Sequence, residues 1–200
     1  MSFNMVAAHA KWPEENDAIF GLAAKAKEAI DKYGKENVID STLGALVDDN
    51  GNLICLGTVY SELNSLPNAQ IAAYAQVAGQ EDFLQAVQDA CFKEYRPDAY
   101  IRAVATPGGT GAVRHAIWNY TNQGDSILVC DWFWSPYVTI SEEFGRKVTN
   151  YEFFNEKGEF NVNSFKEKFE DLLNKQKRLV TVLNTPANNP TGYSLSDEEW

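Results

Sequence analysis

Residues 180–192 read VTVLNTPANNPTG, and this stretch decides the fold of the chain. Its first four residues form an apolar run typical of a buried strand, and a turn of asparagine, proline and glycine follows at once. Proline sets one dihedral of such a turn and glycine permits a positive one, so the side chain of Asn189 is held in place. An amide held at a strand end can donate a hydrogen bond to a ring oxygen of a ligand.

The chain from about residue 98 onward alternates predicted strands and helices. Alternation at these lengths predicts parallel pairing, and therefore an α/β fold with a mostly parallel sheet that helices flank on both faces. Asn161 or Asn163 is expected to cap the last helix. The predicted strands cover residues 100–105, 127–130, 147–154 and 179–184, and the predicted helices cover residues 109–120, 137–144 and 162–173.

The first part of the chain gives a less regular pattern. Helical spacing of apolar residues over residues 19–33 predicts a helix, and Gly34 follows as a stop signal. Asp-Asp-Asn-Gly at residues 48–51 joins two β-rich runs and predicts a hairpin turn. Residues 61–70 are polar and are interpreted as a loop, and residues 83–91 predict another helix.

Composition excludes several classes of protein. The formal net charge of −11 argues against nucleic acid or an anionic membrane surface as a partner. No segment approaches about 18 unbroken apolar residues, and no signal peptide is apparent at the N-terminus. The three cysteines lack the spacing of a zinc site. We therefore expect a soluble, cytoplasmic protein that uses no membrane.

Residues 105–112 read ATPGGTGA and join a predicted strand to a predicted helix. Glycines let the backbone approach a ligand closely, and the free amides at a helix N-terminus favour an anion. One interpretation is a phosphate held by the amides of Gly109 and Thr110 and by the Thr110 hydroxyl. The other is a tight turn that binds nothing.

The same residues restrict the kind of phosphate ligand. A P-loop nucleotide site needs a lysine that this turn lacks. A dinucleotide site needs G-x-G-x-x-G; Gly109 and Gly111 fit that spacing, but Arg114 occupies the third position. Asp131 follows the next strand, about where an acid that binds ribose belongs. A dinucleotide therefore stays an open alternative.

A cluster of aromatic side chains follows the strand at residues 127–130. Residues 131–137 read DWFWSPY, and in a parallel sheet ligands bind beyond the carboxyl ends of the strands. One indole of this cluster could stack on a planar cofactor ring. Alternatively, the aromatic side chains cap the core or fill a subunit interface.

Several motifs along the chain match one known family in order. The family's Asn-Pro-Thr-Gly motif occurs unaltered at residues 189–192, and its Ser-Gly-Thr-Gly-Ala cradle is similar to GGTGA at residues 108–112. Its Tyr-x-Pro-x-x-Gly motif is similar to YAQVAG at residues 74–79. Its glycine loop is similar to TLGA at residues 42–45, and its N-terminal opening is similar to PEENDAIFGL at residues 13–22. The chain thus resembles the class I aminotransferases of fold type I, in particular their aspartate and aromatic branch. Gly108 replaces the serine of the cradle, and Gln76 replaces the usual proline.

The resemblance implies pyridoxal 5′-phosphate as cofactor and assigns residues to it. Gly109 and Thr110 should hold the phosphate. Trp134, rather than Trp132, should stack on the pyridine ring, and Asn189 should hydrogen-bond the phenolic oxygen of the ring and stabilise its ionised form.

The resemblance also implies a partner and a division into domains. Tyr74 should reach the cofactor phosphate of a neighbouring subunit, which requires a homodimer with shared active sites. Gly44 should lie beside the substrate carboxylate. Residues 1–65 should contribute to the small domain, and residues 66–200 should form the first part of the large α/β domain that binds the cofactor.

The implied activity is transfer of an amino group from an amino acid, of the aspartate or aromatic type, to a 2-oxo acid through a lysine Schiff base. In the family that lysine follows the Asn-Pro-Thr-Gly turn, and no lysine of residues 1–200 matches it, so we expect it downstream. Ser196 and Glu199 form a capping-box pattern that predicts the start of a further helix. A β-lyase or decarboxylase of the same fold, a non-catalytic regulator that binds the cofactor, and a dinucleotide-dependent oxidoreductase stay open as alternatives.

Overall fold

A computed structural model describes residues 5–7, 18–42 and 44–200, with no side-chain description for residues 18–20. The chain divides into two compact units, one up to Ala73 and one from Tyr74 to Trp200. The similarity noted at residues 13–22 lies largely outside the described residues. Among the helices of the described residues, none is long and apolar enough to cross a membrane.

The described part of the first unit contains three α-helices, a short 3-10 helix at Lys35–Asn37 and a hairpin turn. Helix α1 spans Ala18–Tyr33, and the predicted stop at Gly34 is confirmed, since its φ is +86°. Asp48 to Gly51 forms the predicted hairpin turn, closed by a hydrogen bond of 2.9 Å from the Asp48 amide to the Asn52 carbonyl. The Asp48 carboxylate accepts hydrogen bonds from the Asn50 and Asn52 amides, and these bonds, the one from Asn52 foremost, lower the pKa of Asp48.

The prediction of a loop at residues 61–70 is wrong. Helix α2 spans Gly57–Ser65 and helix α3 spans Asn68–Ile71. Neither helix has a buried residue in this structure. A helix without a buried face carries no apolar stripe against a core, and its polar composition is then easily mistaken for that of a loop.

The second unit is an α/β arrangement built around a parallel pair of strands. Strand β1, Ser126–Cys130, pairs in parallel with strand β2, Lys147–Tyr151, from Ser126 opposite Lys147 to Cys130 opposite Tyr151. All five residues of β1 are buried. The helices of this unit are α4 (Glu81–Phe92), α5 (Gly108–Tyr120), α6 (Pro136–Glu143) and α7 (Val162–Gln176). The predicted parallel α/β fold is confirmed.

Alternate side chains of β1 enter two separate hydrophobic clusters. Leu128 and Cys130 pack with Tyr151 of β2, with phenylalanines that follow β2 and with α7. Ile127 and Val129 pack with α5 and α6. Successive side chains of a strand point to opposite faces of its sheet, so helices cover both faces of this one. The first cluster contains Leu128, Cys130, Tyr151, Phe153, Phe160 and Leu172, and the second contains Ile117, Ile127, Val129, Tyr137 and Ile140.

Three of the predicted strands are absent or shorter in the structure. Residues 100–105 form no strand, because their backbone has no ladder partner among the described residues; the Ala105 amide donates instead to the Ala78 carbonyl at 2.7 Å. Strand β2 ends at Tyr151 rather than at residue 154, and Phe154 turns away to form an antiparallel bridge with Phe160. Residues 179–184 lie alongside β1, but only through a parallel bridge between Thr181 and Leu128.

The predicted cap of the last helix is confirmed, although α7 ends at Gln176 rather than at residue 173. Asn161, not Asn163, caps α7, since its side-chain oxygen accepts a hydrogen bond of 3.1 Å from the Ser164 amide. The Glu199 carboxylate accepts a hydrogen bond of 2.8 Å from the Ser196 amide, which is one half of the capping box. The pattern predicts the start of a helix here, and the structure has a turn at residues 197–199.

Candidate functional site

The glycine turn at residues 105–112 leaves the N-terminus of α5 open. No side chain caps this helix, and a Cβ atom placed on Gly108 or Gly109 would meet no atom within 4 Å. Thr110 is exposed. The first amides of a helix have no partner within it, so the Gly109 and Thr110 amides and the Thr110 hydroxyl are sterically available to an anion such as a phosphate.

Two of the glycines in this turn have a structural reason of their own. Gly108 has a φ of +70°, a conformation that side chains disfavour, and the Thr106 hydroxyl donates to its carbonyl at 2.8 Å. A Cβ on Gly111 would lie 2.7 Å from Cδ of Pro107, closer than real Cβ contacts. The turn therefore requires glycine at these positions whether or not a ligand is bound.

The aromatic turn after β1 holds Trp134 and leaves Trp132 open. Trp134 is half-buried, and its ring meets that of Tyr137 edge-on, with centroids 5.5 Å apart and planes at 84°. Tyr137 belongs to the buried cluster beneath α5 and α6. Trp132 is 53% exposed. Of the two indoles, Trp134 thus has the fixed setting that stacking on a ring needs.

The Asn-Pro-Thr-Gly turn exposes Asn189 and constrains its backbone. The backbone amide of Asn189 donates to the side-chain oxygen of Asn184 at 3.2 Å, and Gly192 has a φ of +72°. The Asn189 side chain is exposed. Among the described residues the Asn189 side chain has no recorded hydrogen-bond partner, so its side-chain amide group is available to a ligand oxygen.

Asn188 is the residue that sequence reasoning missed. Its side chain is 2% exposed, and its Nδ2 atom donates to the Trp132 carbonyl at 3.1 Å and to the Thr191 hydroxyl at 3.0 Å. Its amide donates to the Tyr193 carbonyl at 2.7 Å. Asn188 thus joins the Asn-Pro-Thr-Gly turn to the aromatic turn. A second asparagine before Asn189 is visible in the sequence, but its burial is not.

The acid considered for ribose binding has a structural role. The Asp131 carboxylate accepts a hydrogen bond of 2.9 Å from the Phe153 amide, and the Asp131 amide donates to the Tyr151 carbonyl at 2.8 Å. Asp131 therefore caps the ends of β1 and β2, as expected for a strand-end residue.

Two titratable side chains of the first hydrophobic cluster, Cys130 and Tyr151, are uncharged at neutral pH. Burial raises the pKa of the Cys130 thiol to about 11, and burial also raises the pKa of Tyr151. Both groups therefore stay protonated at neutral pH. No group of three or more side chains able to hold a metal ion occurs in the described part of the chain.

Tyr74 and Gly44 lie apart from these turns in the sequence. The Tyr74 side chain is fully exposed, with a relative accessibility of 103%. The segment after it is joined to the glycine turn by the hydrogen bond from Ala105 to Ala78. Gly44 belongs to the first unit and is exposed, and the neighbouring Leu43 lies outside the described residues.

Comparison with known proteins gives the family. The sequence profile of the family described as aminotransferase class I and II matches residues 36–200. The chain is 27% identical over 191 residues to the aromatic-amino-acid aminotransferase of Paracoccus denitrificans, covering 94% of this chain and 47% of that protein. It is 26% identical over 191 residues to the aspartate aminotransferase of Escherichia coli, covering 92% of this chain and 46% of that protein.

The fold of a solved structure is also very similar. A crystal structure of an aminotransferase from Anaerococcus prevotii superposes with a TM-score of 0.94 at 44% identity, covering 99% of this chain and 48% of that one. The chain spans about half the length of the relatives that it matches.

The chain belongs to the class I and II aminotransferase family. The resemblance stated from its motifs and the fold-type-I fold are both confirmed. Members of the family use pyridoxal 5′-phosphate, so the predicted cofactor is confirmed as well. The open helix N-terminus, the fixed indole and the free asparagine amide fit this group, because they offer partners for a phosphate, a ring face and a ring oxygen.

Proposed function

We propose that the protein is an aminotransferase that moves an amino group from an amino acid, of the aspartate or aromatic type, to a 2-oxo acid. The observation that carries the proposal is the hydrogen bond between Asn188 and Trp132, which joins the Asn-Pro-Thr-Gly turn to the aromatic turn at the end of β1. The named activities of the Paracoccus denitrificans and Escherichia coli relatives support this choice of substrates.

The proposed residue roles follow from the chemistry of each group. The backbone amides of Gly109 and Thr110 bind the cofactor phosphate at the positive end of α5. Trp134 stacks on the ring. The side-chain amide of Asn189 donates to the ring oxygen and favours its ionised form. When bound, pyridoxal phosphate supplies an electron sink for the substrate α-carbon. The residues of this chain bind and orient that ring.

We also propose a homodimer in which each active site takes a residue from the partner. The full exposure of the Tyr74 hydroxyl supports this, because a side chain that reaches a neighbouring subunit must be free of its own. In this arrangement Tyr74 binds the phosphate of the partner's cofactor. Gly44 is proposed to lie beside the substrate carboxylate, where a side chain would block access.

The remaining proposals concern the whole protein. Residues 66–200 belong to the large cofactor-binding domain, and residues 1–65 contribute to the small domain. The lysine that forms the Schiff base lies beyond residue 200, which is consistent with a chain that covers about half of its relatives. The protein acts in the cytoplasm.

The test uses the full-length protein supplied with pyridoxal phosphate. Aspartate and phenylalanine are offered as amino donors with a 2-oxo acid as acceptor, and the new amino acid is measured. We expect transfer, and we expect Asn189→Ala to reduce it by at least about tenfold, the loss of one hydrogen bond to a charged oxygen. Asn174→Ala, an exposed asparagine on α7, is the matched control and should not change the rate.

Three results would overturn the proposal. Release of carbon dioxide and an amine would instead indicate a decarboxylase, and loss of a β-substituent would indicate a lyase. Absence of any reaction with bound cofactor would support a non-catalytic protein that binds pyridoxal phosphate.

A further inference from the structure

The side chain of Asn188 is a buried bridge between two loops that leave the sheet at the same edge. It is 2% exposed and donates both to the Trp132 carbonyl, 56 residues earlier, and to the Thr191 hydroxyl. Its side-chain oxygen faces the Cys130 thiol at 4.0 Å. The amide group therefore contacts the aromatic turn, the end of β1 and the Asn-Pro-Thr-Gly turn at once.

The backbone of Asn188 closes the turn that carries Asn189. Its amide donates to the Tyr193 carbonyl at 2.7 Å, and its carbonyl accepts from the Gly192 amide at 2.6 Å. Because Asn189 is the next residue, its Cα position follows from that of Asn188. Trp134 lies two residues after Trp132, so the same side chain also restrains the backbone that carries the indole.

We infer that Asn188 is a positioning residue that holds Asn189 against the ring oxygen of the cofactor while keeping Trp134 in register with the ring face. The inference rests on the proposed function, since it concerns how the cofactor is held. Asn188 itself is buried beneath the turn, so the inferred role requires no contact with the cofactor or the substrate. Its effect passes through Asn189 and Trp134.

The contacts require an amide rather than a carboxylate. Both hydrogen bonds to Trp132 and Thr191 come from Nδ2, which an aspartate lacks. A carboxylate at position 188 would place an acceptor against the Trp132 carbonyl, also an acceptor, in a buried setting where an unmatched group is costly. Asn188→Asp is therefore a nearly isosteric variant that removes the bridge.

The experiment measures cofactor binding in the full-length protein with three readouts. These are the dissociation constant for pyridoxal phosphate, the pH midpoint of the visible absorbance of the bound cofactor, and the thermal unfolding midpoint. For Asn188→Asp we expect binding about tenfold weaker. We also expect the pH midpoint to rise by up to about one unit, because a misplaced Asn189 no longer favours the ionised ring oxygen.

Three further variants separate positioning from general stability. Asn174→Asp makes the same chemical change at an exposed site and should leave the binding constant and the pH midpoint unchanged. Thr191→Val removes one partner of the bridge with little change of shape and should shift the pH midpoint in the same direction by a smaller amount. Thr191→Ser keeps the hydroxyl and should restore the wild-type midpoint.

Each outcome decides between the two proposals. Wild-type binding with an unshifted pH midpoint in Asn188→Asp would overturn the positioning role and leave the proposed function standing. If Asn188→Asp does not fold, an unshifted midpoint in Thr191→Val would overturn it instead. Failure of the wild-type protein to bind pyridoxal phosphate would overturn both. A shift in Asn188→Asp and Thr191→Val, with recovery in Thr191→Ser, supports the inference.

Discussion

The carboxylate of Asp131 accepts a hydrogen bond of 2.9 Å from the backbone amide of Phe153, 22 residues further along the chain. Asp131 follows the last residue of β1, and Phe153 lies two residues after the end of β2. The contact therefore joins the two strands where they finish. It also fixes the start of the aromatic turn that carries Trp134.

Replacing Asp131 tests this strand-end contact. We expect Asp131→Ala to lower the free energy of unfolding by about 1–2 kcal/mol, because the Phe153 amide loses its acceptor in a half-buried position. Asp131→Asn keeps an acceptor oxygen and should lose less. Urea unfolding followed by tryptophan fluorescence measures both. Equal stability of Asp131→Ala and wild type would show that water replaces the carboxylate without cost.

Arg146 is a buried cation that joins the C-terminal ends of α5 and α6. It is 8% exposed, and its guanidinium donates to the Thr121 hydroxyl at 3.1 Å, to the Thr121 carbonyl at 2.9 Å and to the Phe144 carbonyl. It also lies over the Trp118 ring, 5.1 Å from the centroid. Lysine lacks this planar fork, so Arg146→Lys should lower stability by about 2 kcal/mol.

The control for that variant is Arg178→Lys. Arg178 is exposed, and the described structure records no hydrogen bond from its guanidinium, so the substitution should leave the unfolding midpoint unchanged. Thermal unfolding compares the two variants. A loss at position 178 as large as that at position 146 would contradict the role of the fork.

The glycine turn allows a comparison of two glycine-to-alanine substitutions. A Cβ on Gly111 would lie 2.7 Å from Cδ of Pro107, so Gly111→Ala should destabilise the protein by about 1–3 kcal/mol. A Cβ on Gly109 would meet no atom within 4 Å, so Gly109→Ala should leave stability nearly unchanged. If the phosphate binds there, Gly109→Ala should still weaken binding of pyridoxal phosphate.

Unfolding experiments and cofactor titrations on the same pair separate the two effects. Full cofactor affinity in Gly109→Ala would argue against a phosphate at that amide. Unchanged stability in Gly111→Ala would show that Pro107 can move aside.

Glu199 provides a pH dependence with a defined sign. Hydrogen bonds from the Ser196 amide at 2.8 Å, the Tyr193 hydroxyl at 2.7 Å and the Phe160 amide at 3.0 Å lower the pKa of its carboxyl group below the ordinary 4.5. A carboxyl group with a lowered pKa in the folded state stabilises the fold above its ordinary pKa. That contribution is lost as the pH falls from 4.5 through the lowered value.

Removing this group should flatten the acid side of the stability curve. Glu199→Gln is expected to be less stable than wild type at pH 7, with the difference shrinking below about pH 4.5. Glu198→Gln, an exposed neighbour without a recorded hydrogen bond in the described structure, is the control. Unfolding midpoints measured from pH 3 to pH 7 provide the check. A constant difference across that range would contradict the assignment.

Much of the second unit could be predicted from local signals in the sequence. The apolar residues of β1 make a buried strand favourable wherever helices can cover it, and the caps at Gly34 and Asn161 act within a few residues of themselves. The Asn-Pro-Thr-Gly turn is likewise specified by the dihedral preferences of its own residues. Such features depend on neighbours in the chain.

Other features depend on contacts between distant residues. Residues 100–105 have the composition of a strand, but a strand requires a hydrogen-bonded neighbour, and only the tertiary structure shows that none of the described residues provides one. The composition of residues 61–70 predicts a loop, because the exposed helix α2 lacks a buried stripe that would indicate a helix. The family resemblance favours Trp134 over Trp132, but only the tertiary structure shows that Trp134 packs against Tyr137.

The sequence by itself determined the parallel α/β fold, the family and the turn that carries Asn189. The fold and the turn follow from hydrophobic periodicity and from backbone preferences, which act over short distances along the chain. The family follows from the resemblance of its motifs to those of the class I aminotransferases. The tertiary structure alone decided that Asn188 is buried and bonded to Trp132, and that Asp131 caps two strands. Burial and long-range hydrogen bonds join residues that are far apart in the sequence, so their partners exist only once the chain has folded.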